Sequence, residues 1–132
     1  MTKTAINGTF DILHRGHLAL IGYARKDSNY LLVCIDSDRR VKELKGNSRP
    51  ANSQEERKAL LENIKGIDEV RIFDNERELE QIYEAYQPDR LVIGIEYKSK
   101  RIVGAQHCKN IEYFERLEGY STTQKIKTII GR

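Results

Sequence analysis

The chain has no tryptophan, one methionine, two prolines and two cysteines among its 132 residues. Cys34 and Cys108 lie far apart, which excludes a dense disulfide framework and a paired redox or zinc motif. The strongest apolar run, residues 30–35, is far too short to cross a bilayer. No secretory pattern opens the chain, and no internal repeat, low-complexity tract or linker interrupts it. These absences predict a cytoplasmic, disulfide-free protein with no membrane partner, folded as one domain over residues 1–132. Neither sign of charge dominates: 23 Lys and Arg against 20 Asp and Glu leave +3. That balance suits a small anionic ligand and lacks the dense basic stripe of a nucleic-acid-binding surface. The one basic concentration, Arg39, Arg40, Lys42, Lys45 and Arg49, has little apolar content around it and reads as a solvated loop.

Hydrophobic residues at 39% and charged ones at 33% place the chain with folded rather than disordered sequences. Apolar runs alternate along it with segments of helical period. Residues 3–7, 30–36, 69–73, 90–94 and 110–114 read as strands, and 30–36 shows no polar alternation, as a strand buried on both faces would. Leu18, Leu20, Ile21 and Ala24 recur at helical spacing between the first two strands. Ser53-Gln54-Glu55-Glu56 has the form of a capping box, so a helix is predicted from Ser53. Residues 76–86 carry Leu79, Ile82, Tyr83 and Tyr86 on one face and stop before Pro88, and residues 122–130 form a closing helix capped by Ser121. Strands separated by helices imply an α/β fold: a three-layer, doubly wound, Rossmann-like parallel sheet of about five strands. Such sheets bind ligands beyond the carboxyl ends of their strands.

The chemistry concentrates where the first strand ends, in Gly8-Thr9-Phe10-Asp11-Ile12-Leu13-His14-Arg15-Gly16-His17. Gly8 lets the backbone turn tightly and approach a ligand. His14 and His17 are three apart, so in a helical turn they share a face. Gly16 between them removes a side chain where a phosphate could approach. A helix beginning there adds free amides and the positive end of its dipole. Two imidazoles at such a place would donate to phosphate oxygens and stabilise charge growing on a phosphorus under attack. One histidine alone would be read as a packing residue at a helix start, so the whole string carries the inference. A metal set of His14, His17, His107 and Cys108 lacks ligand spacing, and no metal site is predicted.

On these residues the sequence resembles the cytidylyltransferase-like nucleotidyltransferases, whose signature is His-x-Gly-His after the first strand and Ser-Thr-Thr before the last helix. Here those are His14-Arg15-Gly16-His17 and Ser121-Thr122-Thr123. The likeness is divided between the glycerol-3-phosphate cytidylyltransferases and the adenylyltransferase domains of bacterial heptose-nucleotide synthesis. It implies that His14, His17, Lys45 and Arg116 are catalytic. Gly8, Thr9, Phe10, Gly16, Glu96, Ser121 and Thr122 would bind the nucleotide, Ser121 and Thr122 at its β- and γ-phosphates, and Arg57 would meet the acceptor's phosphate. It also implies CTP or ATP as one substrate, a small phosphorylated polyol or sugar as the other, Mg2+ with the nucleoside triphosphate, and a homodimer. Taken singly, Lys45 and Arg57 could be ordinary surface charges, and Ser121 a helix cap.

The closing Arg116-Leu117-Glu118-Gly119-Tyr120-Ser121 is similar to the glycerol-phosphate branch and favours CTP. Arg49-Pro50-Ala51-Asn52 and Glu96-Tyr97 with Ile102-Val103-Gly104 look more like the heptose branch. That branch has Lys-Gly-Gly-Asp-Tyr where this chain has Ile93-Gly94-Ile95-Glu96-Tyr97, and the glycerol-phosphate branch carries a tryptophan there. The acceptor therefore cannot be copied from the heptose branch. Two rivals come from other classes. A nucleotide-binding sensor without turnover would have lost a histidine or Lys45, and all three are present. A nucleic-acid-binding module would interleave exposed aromatics with the basic residues of 39–49, and the aromatics fall at helix or strand positions instead.

Overall fold

In the computed structural model, which describes residues 1–115, every strand is parallel to its neighbours. The elements run β1 (Lys3–Gly8), α1 (Arg15–Arg25), β2 (Tyr30–Asp36), α2 (Asp38–Lys45), α3 (Gln54–Glu62), β3 (Glu69–Phe73), α4 (Glu76–Tyr86), β4 (Arg90–Gly94) and β5 (Asn110–Phe114). Two short 3-10 turns, Ile95–Tyr97 and Ala105–His107, lie between β4 and β5. The sheet order is β3-β2-β1-β4-β5, so the winding reverses between β1 and β4. The crevice that such a reversal opens lies beyond Gly8 and Gly94, the last residues of those two strands.

Burial on both faces explains the unbroken apolar run of β2. Leu31, Val33 and Ile35 join Ile21 and Ala24 of α1 and Leu61 of α3 in one core cluster. Leu32 and Cys34 turn the other way, to Leu79 and Tyr83 of α4. Side chains alternate across a strand, so each helix layer takes every second residue. Burial pushes the Cys34 thiol up to about 12, well outside the range of a reactive thiolate.

The fold expected from the sequence is the one observed, with one helix added. The basic stretch reads as a solvated loop, yet residues 38–45 of it form α2. Only Val41 of this helix is buried, which leaves too narrow an apolar stripe to read as a period. Its ends carry the signal instead. Ser37 Oγ accepts from the Arg40 amide at 3.1 Å, Asp38 sits in the first turn, Lys42 and Lys45 sit in the last, and Gly46 follows at φ +99°. Ser53 caps α3 as predicted, accepting from the Glu56 amide at 3.2 Å. The predicted closing helix over 122–130 lies outside the described residues. Among the described residues no helix is long and apolar enough to cross a membrane.

Gly104 fixes the return path from β4 to β5. It holds φ +78°, and a Cβ there would come 2.6 Å from Cδ2 of the fully buried Tyr83. Gly104→Ala combines a disfavoured backbone region with a clash against a ring that has no room to retreat. It should destabilise the protein by about 1–3 kcal/mol in urea unfolding. An unchanged midpoint would refute this.

Candidate active site

The loop from residue 9 to residue 14 joins β1 to α1 at the reversal of winding. At its start Gly8 makes room for Phe10: a Cβ on Gly8 would lie 3.1 Å from Cε2 of that ring. Phe10 itself takes φ +50°, a costly conformation for a bulky residue. Its ring is 4% exposed and joins the core cluster of Ile6 and Val33, so burial offsets the backbone strain and pins the loop.

Two histidines build the start of α1. His14 is its N-cap, in extended conformation, and its Nδ1 accepts from the Gly16 amide at 3.1 Å. His17 reaches back, its Nδ1 accepting from the His14 amide at 3.2 Å. This is the reciprocal geometry of a capping box made with imidazoles instead of Ser and Glu. The rings stack with centroids 3.9 Å apart, and His17 also meets Phe10 at 5.2 Å. A neutral ring accepting at Nδ1 carries its hydrogen on Nε2. Each histidine therefore keeps a donor on the side of the ring away from the backbone it caps. An ionised glutamate cap would supply no such donor, and a serine's single hydroxyl would not reach as far. Gly16 stands at the second position of α1, between them.

Beneath this turn lies a brace with no local sequence signal. The family resemblance puts Arg57 at the acceptor's phosphate, and the structure corrects this: its side chain is 0% exposed. Nε donates to Asn52 O at 3.0 Å, Nη1 to Thr9 O at 2.9 Å and Asp36 O at 2.8 Å, and Nη2 to Asp38 Oδ1 at 2.8 Å. A guanidinium spent in this way has no fork left to offer a phosphate. The Thr9 hydroxyl donates to Asp36 Oδ2 at 3.0 Å. Asp36 is held in turn by Arg40 Nε at 2.8 Å.

Asp11, also fully buried, ties the loop between α2 and α3 to the same turn. Its carboxylate accepts from the amides of Ala51 at 2.7 Å and Asn52 at 2.8 Å, and Asn52 Nδ2 donates back to Asp11 O at 3.2 Å. The Arg49 guanidinium approaches Asp11 Oδ2 at 3.9 Å. Asp11 lies inside the Gly8–His17 string, and its acidic side chain among apolar neighbours was the available clue.

The structure thus brings Gly8, Thr9, Phe10, His14, Gly16 and His17 together at the carboxyl end of β1. Glu96 lies across the reversal, exposed, in the turn after β4. Its carboxylate folds back over Gly94, where a Cβ would come 2.5 Å from both of its oxygens. Lys45 is the last residue of α2 and is exposed. Arg116, Ser121 and Thr122 lie outside the described residues. His107 approaches Glu80 Oε1 of α4 at 3.9 Å, and among the described residues no three His, Cys, Asp or Glu side chains are grouped to hold a metal ion.

Comparison with known proteins agrees with this arrangement. A family model described as cytidylyltransferase-like matches residues 5–128. The bifunctional protein HldE of Campylobacter fetus subsp. fetus is 40% identical over 130 residues, which is 98% of this chain and 28% of that protein. HldE of Wolinella succinogenes is 42% identical over 125 residues, 95% of this chain and 26% of its own length. The chain therefore spans under a third of the curated relatives it matches. Among solved structures, a lipopolysaccharide core biosynthesis protein from Thermoplasma volcanium superposes with a TM-score of 0.68 at 21% identity, covering 87% of this chain and 98% of that one. Pantothenate synthetase from Thermus thermophilus gives 0.56 at 15% identity, covering 94% and 64%. These two likenesses concern the fold.

Proposed function

The chain belongs to the cytidylyltransferase-like family of nucleotidyltransferases, and from that premise we propose that it transfers the nucleoside monophosphate of CTP or ATP to the phosphate of a small polyol or sugar phosphate, releasing pyrophosphate. The observation that carries this reading is the pair of stacked histidines that cap α1 through Nδ1 and so keep Nε2 as a donor. The start of a helix is suited to oxyanions, because its first amides and its dipole both favour negative charge.

In the proposed reaction an acceptor phosphate oxygen attacks the α-phosphorus in line. The new phosphorus–oxygen bond forms as the bond to the β-phosphate oxygen breaks, and that electron pair leaves with pyrophosphate. The attacking oxygen is already anionic, so no side chain has to remove a proton or form a covalent intermediate. The protein's contribution is positioning and stabilisation of negative charge on the α-phosphoryl oxygens. His14 and His17 would donate to those oxygens. Lys45 and Arg116 would balance the charge of two anionic substrates brought together, and Ser121 and Thr122 would meet the outer phosphates. Glu96, beyond the neighbouring strand, would contact the nucleoside. Magnesium would arrive as the counter-ion of the triphosphate, held by phosphate oxygens beside a set of protein donors suited to oxyanions rather than to metals. A homodimer working in the cytoplasm goes with the family likeness.

A second reading, ATP with heptose-1-phosphate, is favoured by Arg49-Pro50-Ala51-Asn52 and Glu96-Tyr97, which resemble the heptose branch. Both readings are tested by pyrophosphate release in the presence of magnesium, with CTP and ATP each paired against glycerol-3-phosphate, ribitol-5-phosphate and heptose-1-phosphate. One pair is expected to give turnover far above the rest, and that pair fixes base and acceptor together. Nucleotide binding without release from any pair would point to an acceptor outside this panel or to the sensor reading.

A further inference from the structure

With Arg57 spent on the brace, the arginine expected at a substrate phosphate is not available, and the loop between α2 and α3 carries another. We propose that Arg49 is a phosphate-binding residue of the transfer site, taking an oxyanion of one substrate between its Nε and Nη2. The inference rests on the nucleotidyl-transfer reading above for the identity of that oxyanion.

The Arg49 side chain is only 14% exposed, and its Nε and Nη2 atoms are both buried without a hydrogen-bond partner. On a guanidinium these two nitrogens share one edge and present parallel N–H bonds, the fork that matches two oxygens of a phosphate. Buried donors of this kind ordinarily find a partner in the protein, and leaving two unmet is costly. The nearest carboxylate does not meet them. Asp11 Oδ2 stands 3.9 Å from Nε, beyond hydrogen-bonding reach, and both Asp11 oxygens are already engaged by the Ala51 and Asn52 amides.

Asp11 has two effects here. It compensates the positive charge of Arg49 from a distance, so burial of the guanidinium is tolerated. It also ties the loop that carries Arg49 to the turn that carries His14, three residues further along. The fork is therefore anchored to the same backbone as the histidines. Both substrates bring phosphate to this site, the nucleotide as its triphosphate and the acceptor as a phosphate ester, and the planar fork suits an oxyanion of either.

The test compares the wild-type chain with Arg49→Lys, which keeps the charge and loses the fork, and Arg49→Gln. Pyrophosphate release is measured with each substrate varied in turn. Losing a charge-assisted bidentate contact should raise one KM by about tenfold or more in both variants. A rise in the acceptor's KM assigns the oxyanion to the acceptor, and a rise in the nucleotide's assigns it to the triphosphate. If neither KM rises, the proposal is overturned. In parallel, inorganic phosphate and pyrophosphate are titrated while the melting temperature is followed, with no turnover required. Stabilisation in the wild type that is lost in Arg49→Gln supports the proposal, and an equal shift in both overturns it. That second arm still reports on Arg49 should the wild type release no pyrophosphate, an outcome that would count against the nucleotidyl-transfer reading alone.

Discussion

His14→Asn should melt close to the wild-type temperature and lose two to three orders of magnitude in kcat, about the loss seen when one preorganised transition-state donor is removed. Asparagine is among the best N-caps, and its side-chain oxygen can take over the Gly16 amide from His14 Nδ1. Its amide N–H groups are donors, but they sit on a side chain shorter than the imidazole and fall short of where Nε2 points, so it keeps the structural half of the residue's work and gives up the chemical half. His14→Ala gives up both. Its kcat should fall as far, and it should also lose about 1 kcal/mol of stability with the cap, a drop in Tm of roughly 4 °C. His17→Ala is expected to behave like His14→Ala, since His17 Nδ1 caps the His14 amide. Circular dichroism melts beside initial rates of pyrophosphate release make the comparison. Wild-type turnover in His14→Asn would be incompatible with the proposed role.

Arg57→Leu should cost about 3–5 kcal/mol of unfolding free energy, the range for removing one member of a buried ionic network. The loss leaves the carbonyls of Thr9, Asp36 and Asn52 and one Asp38 oxygen without their donor. Arg57→Lys should recover little of this, because a single ammonium lacks the planar spread that reaches four acceptors on separate segments. A substrate-contacting arginine would behave otherwise. Its lysine variant would keep the urea midpoint and raise one KM. Chemical denaturation of the three proteins separates the cases, and an unchanged midpoint in Arg57→Leu would refute the brace. The segments tied by Arg57 are the ends of β1 and β2 and the approach to α3, so partial loss of the brace should also loosen the histidine turn.

How far this could be read from the sequence depended on which physical signal each part left there. The strands 30–36 and 90–94 and the helix 76–86 were legible because burial on both sheet faces gives unbroken apolar runs and because Pro88 stops α4. The histidine string was legible because residue types of that chemistry in that order, after a strand, have few structural explanations. α2 was not, since a helix with one buried residue leaves no period, and only its capping and charge order betray it. Arg57 was misread for a different reason. Lone arginines usually lie on surfaces, and the acceptors that bury this one come from residues 9, 36, 38 and 52, which nothing in the local sequence draws together. Arg49 was hidden because its neighbours in sequence are exposed basic and polar residues, which read together as a solvated stretch.

The place of β1 in the sheet has a consequence for how the chain folds. Its pairing with β2 closes over α1 alone, whereas its pairing with β4 waits for everything from α1 to α4. Loop-closure entropy makes the second step the slower one. The order of events should therefore be a half-sheet of β1, β2 and β3 with α1 and α3 on one face, then capture of β4 along the open edge of β1. Until then that edge presents unpaired amides and carbonyls, and it is there that a nascent chain is most exposed to pairing with a neighbour.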